Sequence, residues 1–479
     1  MTAAHPRPPS SPPVAAPVPG PAAVGRHFMA ASAPRAADIH LLRHGDGGSL
    51  LAVDGSRLFD TDPALTARIA AALAAGTADG LLADLGLSMP PAIDDRLLEN
   101  PPVRALSLAV SQACNLGCGY CYAGQGSFGR PPRTMPLERA LAAVDMLLDG
   151  TPAGEGCTLA FMGGEPLVNR PVLMAATRRA AALAAERGVR VNYSITTNGT
   201  LLTAEDGAFF EEHGFAVTIS LDGVGEQHDR QRPFRNGGGS FARIMDNVRP
   251  LLARQRRMQV SARVTVTPDS VADPDGGPGG LLRMLDRFIA DGFHSVGFSP
   301  LLRSSAGTGE MTPDTLAVML GEMIACGRMF ERQALAGRRY PFANLLNALR
   351  EIHRGTHRPY PCGAGAGYFG VSAEGDLAAC HRFVGDGAGA MGTLDGGLDH
   401  DARNQWLAER HVHRQEPCRT CWARYLCGGG CHHEVIGAGR PACDYVRGWL
   451  HYCLGAYTRL SDRCAPLFEG GPAAGPEGR

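Results

Sequence analysis

Residues 106–122 read LSLAVSQACNLGCGYCY. A short apolar run leads straight into a loop carrying Cys114, Cys118 and Cys121, separated by three and then two residues. Three thiolates on one loop hold three corners of a [4Fe–4S] cube and leave the fourth iron open, whereas a structural cluster or a structural zinc takes four protein ligands. The spacing therefore points to a site that a small molecule completes. Taken alone, the same cysteines also fit a zinc knuckle or three unrelated thiols. Their surroundings favour the cluster.

Outward from that loop, strand-like and helix-like segments alternate from Ala105 to about residue 335. Strands are predicted at 106–111, 158–162, 191–197, 216–221, 258–267 and 294–300. Helical stretches such as PLERALAAVDMLLDG (136–150) and PVLMAATRRAAALAAERG (171–188) separate them. Six βα units in series imply an α/β fold with a parallel sheet covered by helices, either doubly wound or an open partial barrel. Such sheets carry their sites beyond the C-terminal ends of the strands. The polar motifs fall there: the cysteine loop after the first strand, Gly163-Gly164-Glu165-Pro166 after the second, Thr197-Asn198-Gly199 at the third and Ser220-Leu221-Asp222-Gly223 at the fourth. Four loops converge on one rim.

Composition narrows the chemistry. The 479 residues suffice for two to four domains, and a formal charge of −1 gives no bulk attraction to nucleic acid or an acidic membrane. The chain contains no lysine, which excludes a Schiff-base lysine and a P-loop lysine. No apolar run approaches the roughly 18 residues of a membrane span, and the proline-broken N-terminal stretch lacks the apolar centre of a secretory signal. A cytoplasmic location is expected, where 14 cysteines serve metal or redox chemistry rather than a disulfide scaffold. Cys157 and Cys326 stand apart from the other cysteines and are read as buried apolar residues.

The expected organisation is a Pro/Ala-rich disordered segment (1–36), a small N-terminal α+β module (37–101), the βα series (102–335), a cysteine- and glycine-rich domain (336–466) and a disordered tail (467–479). A region with little periodicity, such as 360–466, needs covalent or metal staples to fold. It carries Cys362, then Gly375 and Cys380, then Cys418-x2-Cys421-x5-Cys427-x3-Cys431, with Cys443, Cys453 and Cys464 behind. Eight ligands hold two further four-iron clusters. One or two structural zincs compete with that reading, although five residues between Cys421 and Cys427 fall well short of the roughly 15–20 of a zinc ribbon.

At the rim, a small ligand would meet several groups. Gly164 allows close backbone approach, Glu165 accepts a charged bond from an ammonium group, and Tyr120 stacks on a base. Thr197, Asn198 and Ser220 bond a ribose or carboxylate, and Arg232 and Arg235 pair with a carboxylate. Each also has a plain structural role open to it: a βα turn, a core tyrosine, strand-end polar residues, solvated arginines.

With CNLGCGYC, GGEP, TTNG, SLDG and the C-x12-G-x4-C…C-x2-C-x5-C-x3-C…C array together, the chain resembles the radical S-adenosylmethionine superfamily, in its branch with a C-terminal SPASM domain. CHRFVGD (380–386), CWARYLCGGGCHHEV (421–435) and CDYVRGWLHYCLGAY (443–457) most resemble the maturases of quinohemoprotein amine dehydrogenase. That resemblance implies a partial (β/α)6 parallel barrel with a C-terminal cysteine-rich iron–sulfur domain. It also implies three [4Fe–4S] clusters, bound S-adenosylmethionine, and Cys-to-Asp/Glu thioether bridges installed in the dehydrogenase's small subunit.

By the same resemblance Cys114, Cys118 and Cys121 hold the first cluster. Cys362, Cys380 and Cys431 bind the nearer auxiliary cluster. Cys418, Cys421, Cys427 and a late cysteine bind the distal one, with Cys453 favoured and Cys443 the eighth thiolate or a spare. Sulfatase maturases share the array but carry an aspartate right after the second of these auxiliary cysteines; His381 stands there instead. Substrate-thiol deprotonation needs a base, for which Asp222, Asp229 and His381 are candidates. The implied partners are a small cysteine-containing peptide and a reductant such as flavodoxin or ferredoxin, with no nucleic acid and no membrane. A sulfatase-maturase-like enzyme is the enzymatic alternative, and an iron–sulfur electron carrier or peptide chaperone the non-enzymatic one.

Overall fold

The computed structural model describes residues 19–36, 38–87, 91–96, 98–271 and 280–468. A helix α1 (Pro21–Ala31) precedes a three-stranded antiparallel sheet, β1 (Ile39–His44), β2 (Gly47–Ala52) and β3 (Arg57–Thr61). Two helices, α2 (Pro63–Ala75) and α3 (Ala78–Asp84), close the module over its own small core of Ile39, Leu50, Ile69 and Leu73.

Then the chain alternates: β4 (Ala105–Ser111), α4 (Leu137–Asp149), β5 (Gly156–Gly163), α5 (Arg170–Arg187), β6 (Arg190–Thr197), α6 (Ala204–His213), β7 (Ala216–Ser220), α7 (Glu226–Gln231), α8 (Phe241–Arg254), β8 (Gln259–Val266), α9 (Pro268–Val271), α10 (Gly280–Ala290) and β9 (Val296–Pro300). Strands β4 to β9 pair in parallel and in sequence order. An order with no reversal is not that of a doubly wound sheet. Residues Leu106–Ser111 of β4 are all buried, as in a parallel strand covered on both faces. Helix α8 buries Ile244, Met245, Val248, Leu251 and Leu252, a single stripe at helical spacing. The helix ends carry their own signals: a Thr203–Asp206 capping box opens α6, and left-handed Gly188 and Gly214 close α5 and α6.

Two long helices, α11 (Pro313–Leu335) and α12 (Ala343–His353), lead into the cysteine-rich region. Short strands β10 (Tyr368–Val371), β11 (Asp376–Ala378), β12 (Ala390–Thr393) and β13 (Gly397–Leu398) follow, then α13 (His400–Arg410), α14 (Arg424–Cys427), α15 (His432–Ala438) and α16 (Cys443–Leu460). Strand β10 pairs in parallel with β4, and β11 to β13 add on antiparallel, giving one ten-stranded sheet, β13-β12-β11-β10-β4-β5-β6-β7-β8-β9. The expected boundary at residue 336 therefore does not separate two hydrogen-bonded frameworks. The cysteine-rich region extends the same sheet, and one core runs through both.

The expectation of disorder over 1–36 is corrected for residues 21–31. They form α1, which packs on α11 and α16. A Cβ on Gly25 would meet the Ala317 carbonyl at 1.8 Å and one on Gly321 the Pro21 carbonyl at 1.9 Å, so two glycines bring these backbones together. Residues 1–18 and 469–479 lie outside the described residues.

Candidate active site

The rim beyond β4 to β7 is assembled from its own backbone outward. Gly163 has φ 137°, and Cβ atoms on Gly163 and Gly164 would meet the Ser111 and Ala113 carbonyls at 2.2 and 2.4 Å. The glycines seat the β5 loop directly on the cysteine loop, locked by Gly164 N–H to Ser111 O (2.8 Å) and Glu165 N–H to Ala113 O (2.9 Å). Glu165 is fully buried and accepts from the Leu167 amide (3.0 Å), the Thr197 hydroxyl (2.7 Å) and the Asn198 amide (2.8 Å). These three donors leave part of the carboxylate's accepting capacity open, so the expected bond to a ligand's ammonium stays a proposal. The Glu165 carboxylate ties the β5 end to the β6 end, and burial raises its pKa despite those three donors.

Asn198 continues the chain of contacts toward the thiols. Its side-chain amide donates to Asn115 Oδ1 (2.9 Å) and lies 3.7 Å from Cys114 Sγ. Cys114, Cys118 and Cys121 lie close together: the Cys121 thiolate raises the pKa of Cys114 and of Cys118, and Cys114 raises that of Cys118. Burial is the larger cause and pushes Cys118 up to about 12, opposed by the nearby Arg232 guanidinium. A metal is needed to hold such thiolates.

Asp222, beyond the half-buried Ser220 at the end of β7, is fully buried. It accepts from Arg232 Nε (2.7 Å), from the Thr265 amide (2.8 Å) and from the Tyr120 hydroxyl. Arg232 lies over the Tyr120 ring, 5.5 Å from its centroid. Burial opposes its charge, but Asp222, Tyr120 and Cys118 hold the guanidinium above its usual pKa. Asp222 is thus an anchor for the positive charge beside Cys118, not a free base. Asp229 accepts the Ser240 and Phe241 amides at 2.7 and 2.8 Å and caps the start of α8, which removes it from the candidate bases. Arg235 donates to the Gln125 carbonyl (3.2 Å) and braces the cysteine loop.

His381 is the third candidate. It is half-buried, its Nδ1 lies 2.6 Å from the Tyr368 hydroxyl, and burial, with Arg382 and His433 nearby, lowers its pKa to about 3. Its ring packs edge-on against Tyr122, the residue after Cys121. Sequence reasoning passed over Tyr122 and Arg382. Tyr122 feels the charges of both Cys121 and Cys380, and Arg382 stacks over it at 5.2 Å. Arg382 also donates to Cys431 Sγ (3.3 Å) and pairs with Glu434 (2.7 Å). Their only sequence signal was adjacency, each standing one or two residues from a cysteine.

Cys362, Cys380 and Cys431 form a second group, with Cys380 pushed up to about 12 chiefly by burial and then by the other two. Cys418, Cys421, Cys427 and Cys443 form a third. Gly428, Gly429 and Gly430 all have positive φ, and the Gly429 and Gly430 amides point at Cys427 sulfur, a nest suited to an anionic thiolate. Cys453 is not brought to this group. It is fully buried on α16, near Glu331 and Tyr445. Ten helical residues, about 15 Å of rise, separate it from Cys443, too far for both to serve one cluster.

None of the 14 cysteines forms a disulfide. Among the described residues no three cysteine sulfurs lie mutually within 4.8 Å. Four thiolates at about 2.3 Å from one zinc would lie under 4 Å apart. The wider spacing fits a polynuclear cluster better than a single ion.

Residues 108–271 match the model of the radical SAM superfamily. This stretch is a radical SAM domain. Proteins with that domain bind a [4Fe–4S] cluster and S-adenosylmethionine, and the chain that carries it here is an enzyme. Over 378 residues the chain is 25% identical to the serine-type anaerobic sulfatase-maturating enzyme of Klebsiella aerogenes, covering 76% of this chain and 86% of that one. A 154-residue stretch is 33% identical to the cysteine-type enzyme of Clostridium novyi, covering 31% of this chain and 41% of the other.

Among solved structures, native anSMEcpe with bound AdoMet superposes with a TM-score of 0.61 at 19% identity, covering 76% of this chain and all of that one. Streptococcus suis SuiB bound to precursor peptide SuiA gives 0.51 at 15% identity, covering 84% and 96%. These two likenesses show the fold: an α/β architecture with a large, mostly parallel sheet. No helix among the described residues is long and apolar enough to cross a membrane.

Proposed function

We propose that this radical SAM enzyme is a peptide maturase that joins a cysteine sulfur to a side-chain methylene carbon of Asp or Glu. Its substrate is a small cysteine-containing peptide of the kind represented by the small subunit of a quinohemoprotein amine dehydrogenase. Sulfatase-maturating relatives and a structural neighbour carrying a precursor peptide support a polypeptide substrate. The observation that carries the thioether reading is His381. It stands where sulfatase maturases place an aspartate and packs against Tyr122, which feels both the first and the second cysteine group.

The sequence-ordered parallel strands support an open partial barrel, and the twice-occurring cysteine groups beyond residue 360 support a SPASM domain. Cys114, Cys118 and Cys121 would hold the first [4Fe–4S] cluster. Cys362, Cys380 and Cys431 belong to the second, and Cys418, Cys421, Cys427 and Cys443 to the third. When bound, the first cluster and S-adenosylmethionine supply hydrogen-atom abstraction from the substrate.

The chain's own residues do the rest. Arg232, charged by its pairing with Asp222, offers a cation beside the first site. Thr197, Asn198 and Glu165 fix the loop that carries Cys114. Tyr122 walls the space between the first two cysteine groups. His381, kept neutral by burial and held at Nδ1 by the Tyr368 hydroxyl, is too weakly basic to keep a thiol's proton and instead positions the substrate thiol by hydrogen bonding. Flavodoxin or ferredoxin is the class of reductant.

Co-expression with a candidate cysteine-rich peptide, followed by mass spectrometry, tests the proposal. Each bridge removes two hydrogens and links two side chains. Conversion of a single cysteine to formylglycine, with no link, would instead establish the sulfatase-maturase reading that the named relatives favour. His381→Gln is expected to keep nucleoside release from S-adenosylmethionine and to lose about tenfold in bridge formation, the cost of a less well positioned thiol.

A further inference from the structure

Away from the cysteine groups, the turn after α13 carries His411 and His413 on either side of Val412. A ring nitrogen of each and a carboxylate oxygen of Asp95 all lie within 4.8 Å of one another. The two rings meet edge to face with centroids 4.7 Å apart. His413 Nδ1 is 2.8 Å from Asp95 Oδ1, and its Nε2 is 2.7 Å from the Tyr425 hydroxyl. His411 is 2% exposed; its Nδ1 accepts the His413 amide at 3.2 Å and its buried Nε2 has no hydrogen-bond partner. A buried imidazole nitrogen without a protein partner calls for a water or an ion, and at His411 two further potential ligands converge on it.

We propose that Asp95, His411 and His413 bind a divalent ion of the zinc type, separate from the cysteine groups. Two imidazoles and one carboxylate are three of the four ligands of a tetrahedral zinc, with water as the fourth. His411 is buried, with its Nε2 claimed by no partner among the described residues. His413 needs only to exchange tautomers. With Nδ1 turned to the ion, its Nε2–H donates to the Tyr425 oxygen, the outer contact that fixes a ligating histidine. Asp95 is exposed and free to swing the short distance that closes the triad.

The placement gives the ion a task. Asp95 lies in the connection between the N-terminal module and β4, a connection also held by the Ala92 amide on Asp54 (3.0 Å). His411 and His413 belong to the cysteine-rich region, seven and five residues before Cys418. The ion pins one to the other.

The test uses the full chain with its iron–sulfur clusters loaded, dialysed anaerobically against zinc chloride, with zinc and iron counted together. Wild type is expected to take up about one zinc per chain, His411→Ala none, and the exposed-site variant Asp95→Asn to bind at least about tenfold more weakly, all at unchanged iron. Zinc should raise the melting temperature of wild type and leave that of His411→Ala in place. If His411→Ala loses iron, Asp95→Asn alone decides. Failure of wild type to take up zinc overturns the proposal. Equal uptake by wild type and Asp95→Asn also overturns it, because thiols would then be the sink.

Discussion

Asp222 holds Arg232, Tyr120 and the Thr265 amide from a fully buried position. Asp222→Asn leaves the guanidinium without its counter-charge, a loss of about 3–5 kcal/mol for one partner of a buried pair. A lowered melting temperature that Arg232→Met partly restores in the double variant is the expected result. Iron analysis separates the two late cysteines. Cys443→Ala should lower the iron content by up to one cluster, whereas Cys453→Ala should leave iron unchanged and cost stability only. The first cysteine group was legible because its three members share one loop, where spacing in sequence is spacing in space. Cys453 misled because its neighbours HYCLGAY looked like a ligand motif, while the helix that carries it past the cluster by nearly three turns gave no sign at the level of single residues. Asp222 and Asp229 shared the fault of any loop carboxylate: type and position do not reveal which donors will claim it.

Helix α1 is held by contact rather than by its own propensity, with Gly25 and Gly321 letting its backbone touch α11. Gly321→Val should displace it, and limited proteolysis near residues 21–31 should become faster than in wild type. Its Pro/Ala-rich composition read as disorder because nothing local marks a helix whose stability comes from a partner some 290 positions away. The six parallel strands were legible because each is a segment of five to eight residues with apolar residues in a run or at alternate positions, set between helical stretches. Strands β10 to β13 are two to four residues long, too short to show a period of two. The GGEP glycines carry a role that the motif alone did not reveal: they admit a neighbouring main chain at the Ser111 and Ala113 carbonyls.

Buried histidines set how the whole molecule answers to acid. Burial, and then Arg232, lowers His228 to about 3; burial, and then His27, lowers His451 to about 4. Unfolded, both titrate near 6.5. Between those values the unfolded chain binds protons that the folded one refuses, so stability is complete above about 6.5 and declines as pH falls. The slope from His228 alone approaches roughly 1.4 kcal/mol per pH unit. Melting temperatures recorded from about pH 7.5 down to about pH 5 should therefore decline, and His228→Gln should flatten the curve. The sheet has a consequence of another kind. Tyr368 stands opposite Ala105, Val371 opposite Leu108 and Gly370 opposite Ala378, so the β10–β11 hairpin that leads to Cys380 and the strand leading toward Cys114 belong to one ladder. Any electron crossing between the first two sulfur sets meets a gap gauged by main-chain amides. Side-chain evolution can retune the driving force at either end, but it cannot stretch the ruler.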